Sequence, residues 1–388
     1  MKAFAAIVIA LAALAEVGYL GRVYATHAMA RRAMTPKALG ANTPANAGLP
    51  FSRVAVEAGD RTLIGWWVRA RADSGKVPPA VMFLHGNRSS ISDYVNLQRF
   101  LYRQGISSFV FDYSGFGASG GSASLTTAVG DAASAARVFE DSAGKGARRI
   151  AMGSALGATV LMQAIDSVQP HVDGVVIEGV TASVKESAIR DGRIPKLLAP
   201  LLTDVGDNVV AARRVKVPLL AVHSYADTRF PIEDAQRVVA AVPAHSSLVR
   251  HWRKGHSALL ASSKVCDWEP VLQFVKAGAL PPARLDTTDQ CVVAERLAAA
   301  QKAGLPKPSV TPAGAVALSK PVAGEPATAT KSAPSTTKTT STKAGATTKT
   351  TTTQAGATKT STKTTPKKST KKPSTTTKTR TAAPTKTP

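Results

Sequence analysis

The sequence predicts an α/β protein, with a mostly parallel twisted sheet, helices on both faces and a small cap. Two observations over residues 50–280 carry that prediction. Short apolar runs that end abruptly in glycine or polar residues alternate with stretches whose apolar residues recur at helical spacing. The first two runs instead flank a tight turn and read as an antiparallel hairpin. Strands separated by helices pair in parallel and are buried on both faces.

Taken in order, the hairpin is 52–56 and 62–68, turning at Ala58, Gly59 and Asp60. The apolar run 80–84 is the first buried strand and stops at His85-Gly86-Asn87. A helix over 91–103 ends at Gly105, and 107–112 is a second buried run. Leu125, Val129, Ala132, Ala136 and Phe139 then lie on one face of a helix. Residues 149–152 form a strand and 155–167 a helix. Strands follow at 172–177, 218–223 and 247–252, with a helix over 269–276. The stretch 181–212 is expected to hold the cap.

Both ends of the chain differ from this core. Lys2 precedes an uninterrupted apolar stretch, 3–15, before Glu16. Residues 1–25 are read as a membrane anchor or signal peptide, since a full span needs about 20 residues. Arg22, Arg31, Arg32 and Lys37 follow, which by the positive-inside rule would hold the downstream chain in the cytoplasm. An uncleaved anchor is favoured, displaying the chain on the extracytoplasmic side, with the cytoplasmic side or secretion as alternatives. Residues 26–49 are read as a linker and 281–304 as a short helical extension.

From 305 onward the sequence turns to Thr, Lys, Ala, Ser and Pro. Residues 321–388 hold thirteen Lys or Arg against one acid, Glu325, a balance of +12 within the chain's +24. Such a segment has too little apolar surface to offset its ordering entropy and is expected to be disordered. Its charge suits nonspecific, salt-dependent contact with a polyanion, and it has no aromatic residue to stack bases. Cys266 and Cys291 would either pair in an oxidising compartment or stay as free thiols. No cofactor or metal is expected, and the oligomeric state is not legible.

Chemistry in parallel sheets sits at the carboxyl ends of the strands. The first reads Leu84-His85-Gly86-Asn87, a turn that can aim a backbone N–H, that of Asn87, at a developing oxyanion. The next, FDYSGFGASGG, is a glycine-rich loop without phosphate-loop spacing. Then Gly153-Ser154-Ala155-Leu156-Gly157 joins a strand to a helix with the outline G-x-S-x-G, but alanine stands in the middle. Asp227 follows a later strand, and His256 follows the last one.

Together these stretches resemble the α/β-hydrolase family. The wording is closest to small membrane-anchored serine hydrolases of the α/β-hydrolase-domain type, which include protein depalmitoylases. The resemblance is carried by FLHGN, FDYSGFGASGG, the elbow, IPKLLAPLLTDVGDN, PLLAVHSYADTRFPI and GHSALL, over about 50–280. It implies a nucleophile at position 155, an acid at Asp227, a base at His256, and an oxyanion hole from the N–H groups of Asn87 and Leu156. Two positions depart: the family has arginine where this chain has Ser114, and serine where it has Ala155.

Ser154 is a poor substitute. The residues two before and two after the nucleophile must be small, because strand and helix nearly collide there. Around 155 these are Gly153 and Gly157; around 154 they would be Met152 and Leu156. A one-residue slip would also turn the side chain to the other side of the strand end. Two classes of function therefore stay open. One is an ester or thioester hydrolase, impaired, or acting through activated water or an unrecognised nucleophile. The other is a membrane-tethered binding protein that holds an acyl ligand (a small acyl ester or an acylated protein), a peptide or another partner in the old cleft.

Overall fold

Among the described residues, nine strands form one sheet in the order β1-β2-β4-β3-β5-β6-β7-β8-β9. The computed structural model describes residues 2–72, 75–251, 255–282 and 284–286. The chain divides into Met1–Pro312 and Ala313–Pro388, and the second unit lies wholly outside the described residues.

The sheet opens with the expected hairpin, β1 (Ser52–Ala58) against β2 (Arg61–Val68), and β2 also pairs antiparallel with β4 (Ser107–Phe111). Every other pairing is parallel: β3 (Ala80–Leu84), β5 (Arg149–Ser154), β6 (Gly174–Glu178), β7 (Leu219–Ser224), β8 (Ser246–His251) and β9 (Arg284–Asp286). Residues of β3, β4, β6 and β7 are buried throughout. Period-2 alternation divides them between two cores. Met82, Leu84, Phe109 and Phe111 pack on one face with α3 (Leu125–Ala143) and α4 (Leu156–Gln163). Val81, Phe83, Val110 and Met152 pack on the other with α2 (Val95–Arg103) and α9 (Val265–Ala277).

Several expected boundaries move. The helix expected over 91–103 begins as a 3₁₀ turn, Ile91–Tyr94, because Asp93 accepts the Ser90 N–H and tightens the entry. Strand β5 runs two residues further than expected, to Ser154. The helix after it breaks at Ala164 into α4 and α5 (Ile165–Val168). Helix α9 starts at Val265, ahead of Pro270, because buried Asp267 and Trp268 hold its first turn in the core.

The 26–49 segment is not a free linker. Helix α1 (Lys2–Arg32) continues through its first part, and Ala30 and Met34 enter the core with 2% and 5% exposure. Ala38 then bridges to Gly117, and Thr43 caps a 3₁₀ turn, Pro44–Ala47. The 281–304 extension is corrected too: residues 284–286 form β9, a parallel edge strand on β8. The rest of that segment, Cys291 and the tail from 305 lie outside the described residues.

Helix α1 is long and apolar enough to cross a membrane, with mean hydropathy 2.0 and none of its most apolar window buried. By length and composition it could be a membrane anchor or a signal sequence.

The cap is the excursion between β6 and β7, comprising α6 (Val184–Arg190), a 3₁₀ turn (Lys196–Leu201) and α7 (Asn208–Ala212). Its neck is closed by an antiparallel bridge between Ser183 and Asp207. Buried Asn208 pins it by donating to Thr181 O at 2.8 Å and Thr159 Oγ1 at 3.0 Å. Helix α8 (Ile232–Ala240) anchors the other side, where Asp234 accepts from Thr181 and Arg190.

Candidate active site

The elbow between β5 and α4 is built by close backbone approach. A Cβ on Gly153 would lie 2.4 Å from Gly157 O, and one on Gly157 would lie 1.9 Å from Leu84 O. Only glycine fits at either position. Between them Ala155 has φ 53° and ψ −111°, a strained conformation for a residue with a side chain. Its N–H donates to Glu178 O at 2.8 Å, which fixes the turn to β6. This is an α/β-hydrolase fold.

The other predicted residues gather around the same turn. Ala155, Leu156, Gly86, Asn87, Ser154 and His256 all line one cavity of about 810 Å³. His256 Nδ1 donates to Asp227 Oδ2 at 2.8 Å, which leaves Nε2 as the nitrogen able to accept a proton. Burial works to raise the Asp227 carboxyl, but His256 and the N–H groups of Phe230 and Arg229 outweigh it and hold it below its ordinary value. The buried imidazole of His223 sits 3.7 Å beyond the same carboxylate, and its Nε2–H donates to Phe230 O.

The Asn87 side chain is clamped from the N-terminal segment. Its Oδ1 accepts from Thr35 N–H at 2.6 Å and its amide donates to Ala33 O at 3.0 Å. Among the described residues, the backbone N–H groups of Asn87 and Leu156 donate to no other protein group. Leu156 opens α4, where orphan donors and the helix dipole favour negative charge. His85 stays out of the cavity: it is fully buried, 3.3 Å from Asp112, and supports the turn from beneath.

Ser154 is 1% exposed and donates to Glu178 Oε2 at 2.8 Å, with Ser257 Oγ 3.1 Å away. Among the described residues no hydroxyl is hydrogen-bonded to His256. Sequence reasoning missed Glu178, the acidic end of an otherwise apolar run. Its other oxygen accepts from the N–H groups of Leu259 and Leu260, so one carboxylate ties the elbow to the His256 loop. Burial raises its pKa, partly offset by these hydrogen bonds.

Two further features had no motif. The α1 residues Tyr24, Ala28, Met29 and Arg32 also line the cavity. In the glycine-rich loop, Ser114 Oγ donates to Asp131 at 2.9 Å, and Arg61 reaches across from β2 to both. A guanidinium from a neighbouring strand thus stands beside Asp131. Among the described residues no group of three or more His, Cys, Asp or Glu could hold a metal.

Known proteins share parts of this chain. The family model described as serine aminopeptidase, S33, matches residues 75–209. An uncharacterized protein of Mycobacterium tuberculosis is 28% identical over 60% of this chain and 82% of its own. The uncharacterized protein YfhR of Escherichia coli K12 is 26% identical over 49% of this chain and 68% of its own. The Pyrococcus furiosus esterase Pf2001 aligns over 62% of this chain and 96% of its own, at 20% identity and a TM-score of 0.49.

Proposed function

We propose that this chain is a membrane-tethered acyl-ligand-binding protein built on a hydrolase scaffold, in which covalent acyl-enzyme chemistry is impaired. The observation that carries the reading is a methyl group at the strained elbow position, in a cavity also lined by His256, whose Nδ1 is held by Asp227. Removing a triad serine costs on the order of 10⁶ in kcat, while the oxyanion hole and binding retain about 10³ to 10⁴ over water. The N–H groups of Asn87 and Leu156 supply that hole, and an ester or thioester carbonyl is the group they suit. The depalmitoylase-like resemblance of the sequence favours a long acyl chain over a peptide.

Fluorophosphonate labelling of the purified protein tests this. The expected result is no covalent adduct. An adduct that disappears in the Ser154→Ala variant would make Ser154 the nucleophile and overturn the reading.

A second reading follows from Nε2 of His256, which has no hydrogen-bond partner among the described residues. It would take a proton from a water that attacks the acyl carbon, and the imidazolium would return that proton to the leaving oxygen as the C–O bond breaks, releasing acid and alcohol. Slow ester hydrolysis lost in His256→Ala, with no fluorophosphonate adduct, is the expected signature.

A further inference from the structure

We propose that the cap turn Lys196–Leu201 is a bilayer-docking surface, seated at the membrane interface that α1 enters. The inference rests on reading α1 as an anchor and goes beyond it, since an anchor alone would leave the cap in water.

Three leucines within this one turn face outward: Leu197 is 87% exposed, Leu198 45% and Leu201 62%. Among the described residues, exposed large apolar side chains elsewhere on the folded domain are scattered singly and need no partner. Clustered ones on a rigid turn do. Pro200 lies within the turn and Pro195 caps it, so the leucines are presented on a stiff segment.

The place of the turn relative to α1 identifies the partner. A helix rises about 1.5 Å per residue, so about 20 residues cross the hydrocarbon core. Counted from Ala3, the boundary falls near Arg22. At that level Arg22 Nε donates to Thr203 Oγ1 at 3.0 Å, two residues after Leu201. The cap is thereby hydrogen-bonded to the anchor at the depth where the anchor leaves lipid. Beyond that point α1 and the cap line the cavity together, through Tyr24, Met29 and Arg32 on one side and Ile194 and Leu202 on the other.

Charge agrees with the assignment. Residues 192–203 contain Arg193 and Lys196 and no acid. Arg193 pairs with Asp191 at 2.9 Å, which leaves exposed Lys196 beside Leu197 to meet a headgroup phosphate. Leucines inserted below a basic rim are how an interfacial segment sits in a bilayer. Docking there would bring the α1–cap wall of the cavity to the boundary from which an acyl chain departs.

Depth-dependent fluorescence quenching on the full-length protein tests this. A Cys266→Ala, Cys291→Ala background receives Leu197→Cys or Leu201→Cys, each labelled with bimane, in vesicles of mixed neutral and anionic phospholipid. Leu14→Cys on α1 is the anchor control. Lys145→Cys, in the exposed turn before β5 at the opposite end of the sheet, is the water control. Doxyl-labelled lipid is expected to quench both cap positions at least about twice as strongly as Lys145, with reduced access to aqueous iodide. Cap positions that behave like Lys145 while Leu14 is quenched by lipid would overturn the docking surface and leave the anchor standing. Leu14 escaping lipid quenching would overturn both.

Discussion

Ala155 keeps a backbone conformation that costs about 1–3 kcal/mol for a residue with a Cβ, although it carries no nucleophile. Retained geometry makes the missing hydroxyl testable. Ala155→Ser should raise hydrolysis of p-nitrophenyl acetate by at least about 10²-fold, a low bound against the roughly 10⁶ that a triad serine commands. His256 would take the serine proton and return it to the leaving alkoxide, with Asp227 holding the imidazole tautomer. A gain below tenfold would show that the Asn87 and Leu156 donors are misaligned. In that background Ser154→Ala should leave the rate nearly unchanged. It should still lower stability by about 1–3 kcal/mol, because buried Glu178 loses a donor. The two glycines of the elbow were legible from spacing alone. Glu178 was not, since a single acid at the end of an apolar run resembles any strand terminus until its three donors are seen.

His223 adds a pH dependence. Burial lowers its pKa below the ordinary 6.5, with the Phe230 carbonyl and Asp227 only partly opposing it. Below that value the unfolded chain binds a proton that the native state refuses, so stability falls as pH drops. Asp227, also lowered, adds loss at still lower pH as its carboxylate is protonated. Urea melts between pH 7 and pH 5 should show a declining midpoint. His223→Gln, which can still donate to Phe230 O, should flatten that decline.

At the scale of elements, strand existence was readable from apolar runs, and the antiparallel start from the short turn at Gly59. Boundaries failed where packing overrode local signals. The sequence places a helix only over 269–276, yet Trp268, 1% exposed and donating to Ser262 O at 2.9 Å, pulls the preceding turn into α9. The contact between α4 and β3 leaves no room for a side chain at Gly157. A methyl group on Gly157 must displace Leu84 O, part of the strand that carries Gly86 and Asn87. Gly157→Ala should cost about 3 kcal/mol or more, since overpacking against backbone cannot relax by rotamer change. Chemical denaturation reads this directly. A loss under 1 kcal/mol would mean that the two elements separate more easily than their contacts imply.

At the scale of the whole molecule, the two ends call for different truncations. Removing 305–388 takes away the dense cationic segment, so retention on heparin at low salt should be lost while thermal stability holds. A large drop in Tm would show that the tail contributes to the fold. The N-terminal end was harder to read, because an apolar run followed by arginines looks the same whether or not its last turns pack. Ala30 and Met34 are core residues, and Ala33 and Thr35 hold the Asn87 side chain. Arg88 N–H also donates to Thr35 O, so this segment clamps the turn that carries a candidate oxyanion donor. Deleting 1–22 from the Ala155→Ser protein should therefore leave Tm and turnover of a soluble short ester nearly unchanged. Deleting 1–36 exposes the site of Met34 and frees the Asn87 turn, which should cost about 3–5 kcal/mol from lost burial and hydrogen bonds. Turnover should fall at least about tenfold, because an oxyanion donor displaced by an ångström loses most of its effect. Equal turnover in the two truncations would show that Asn87 is positioned by its own loop, and that α1 serves only to tether the domain.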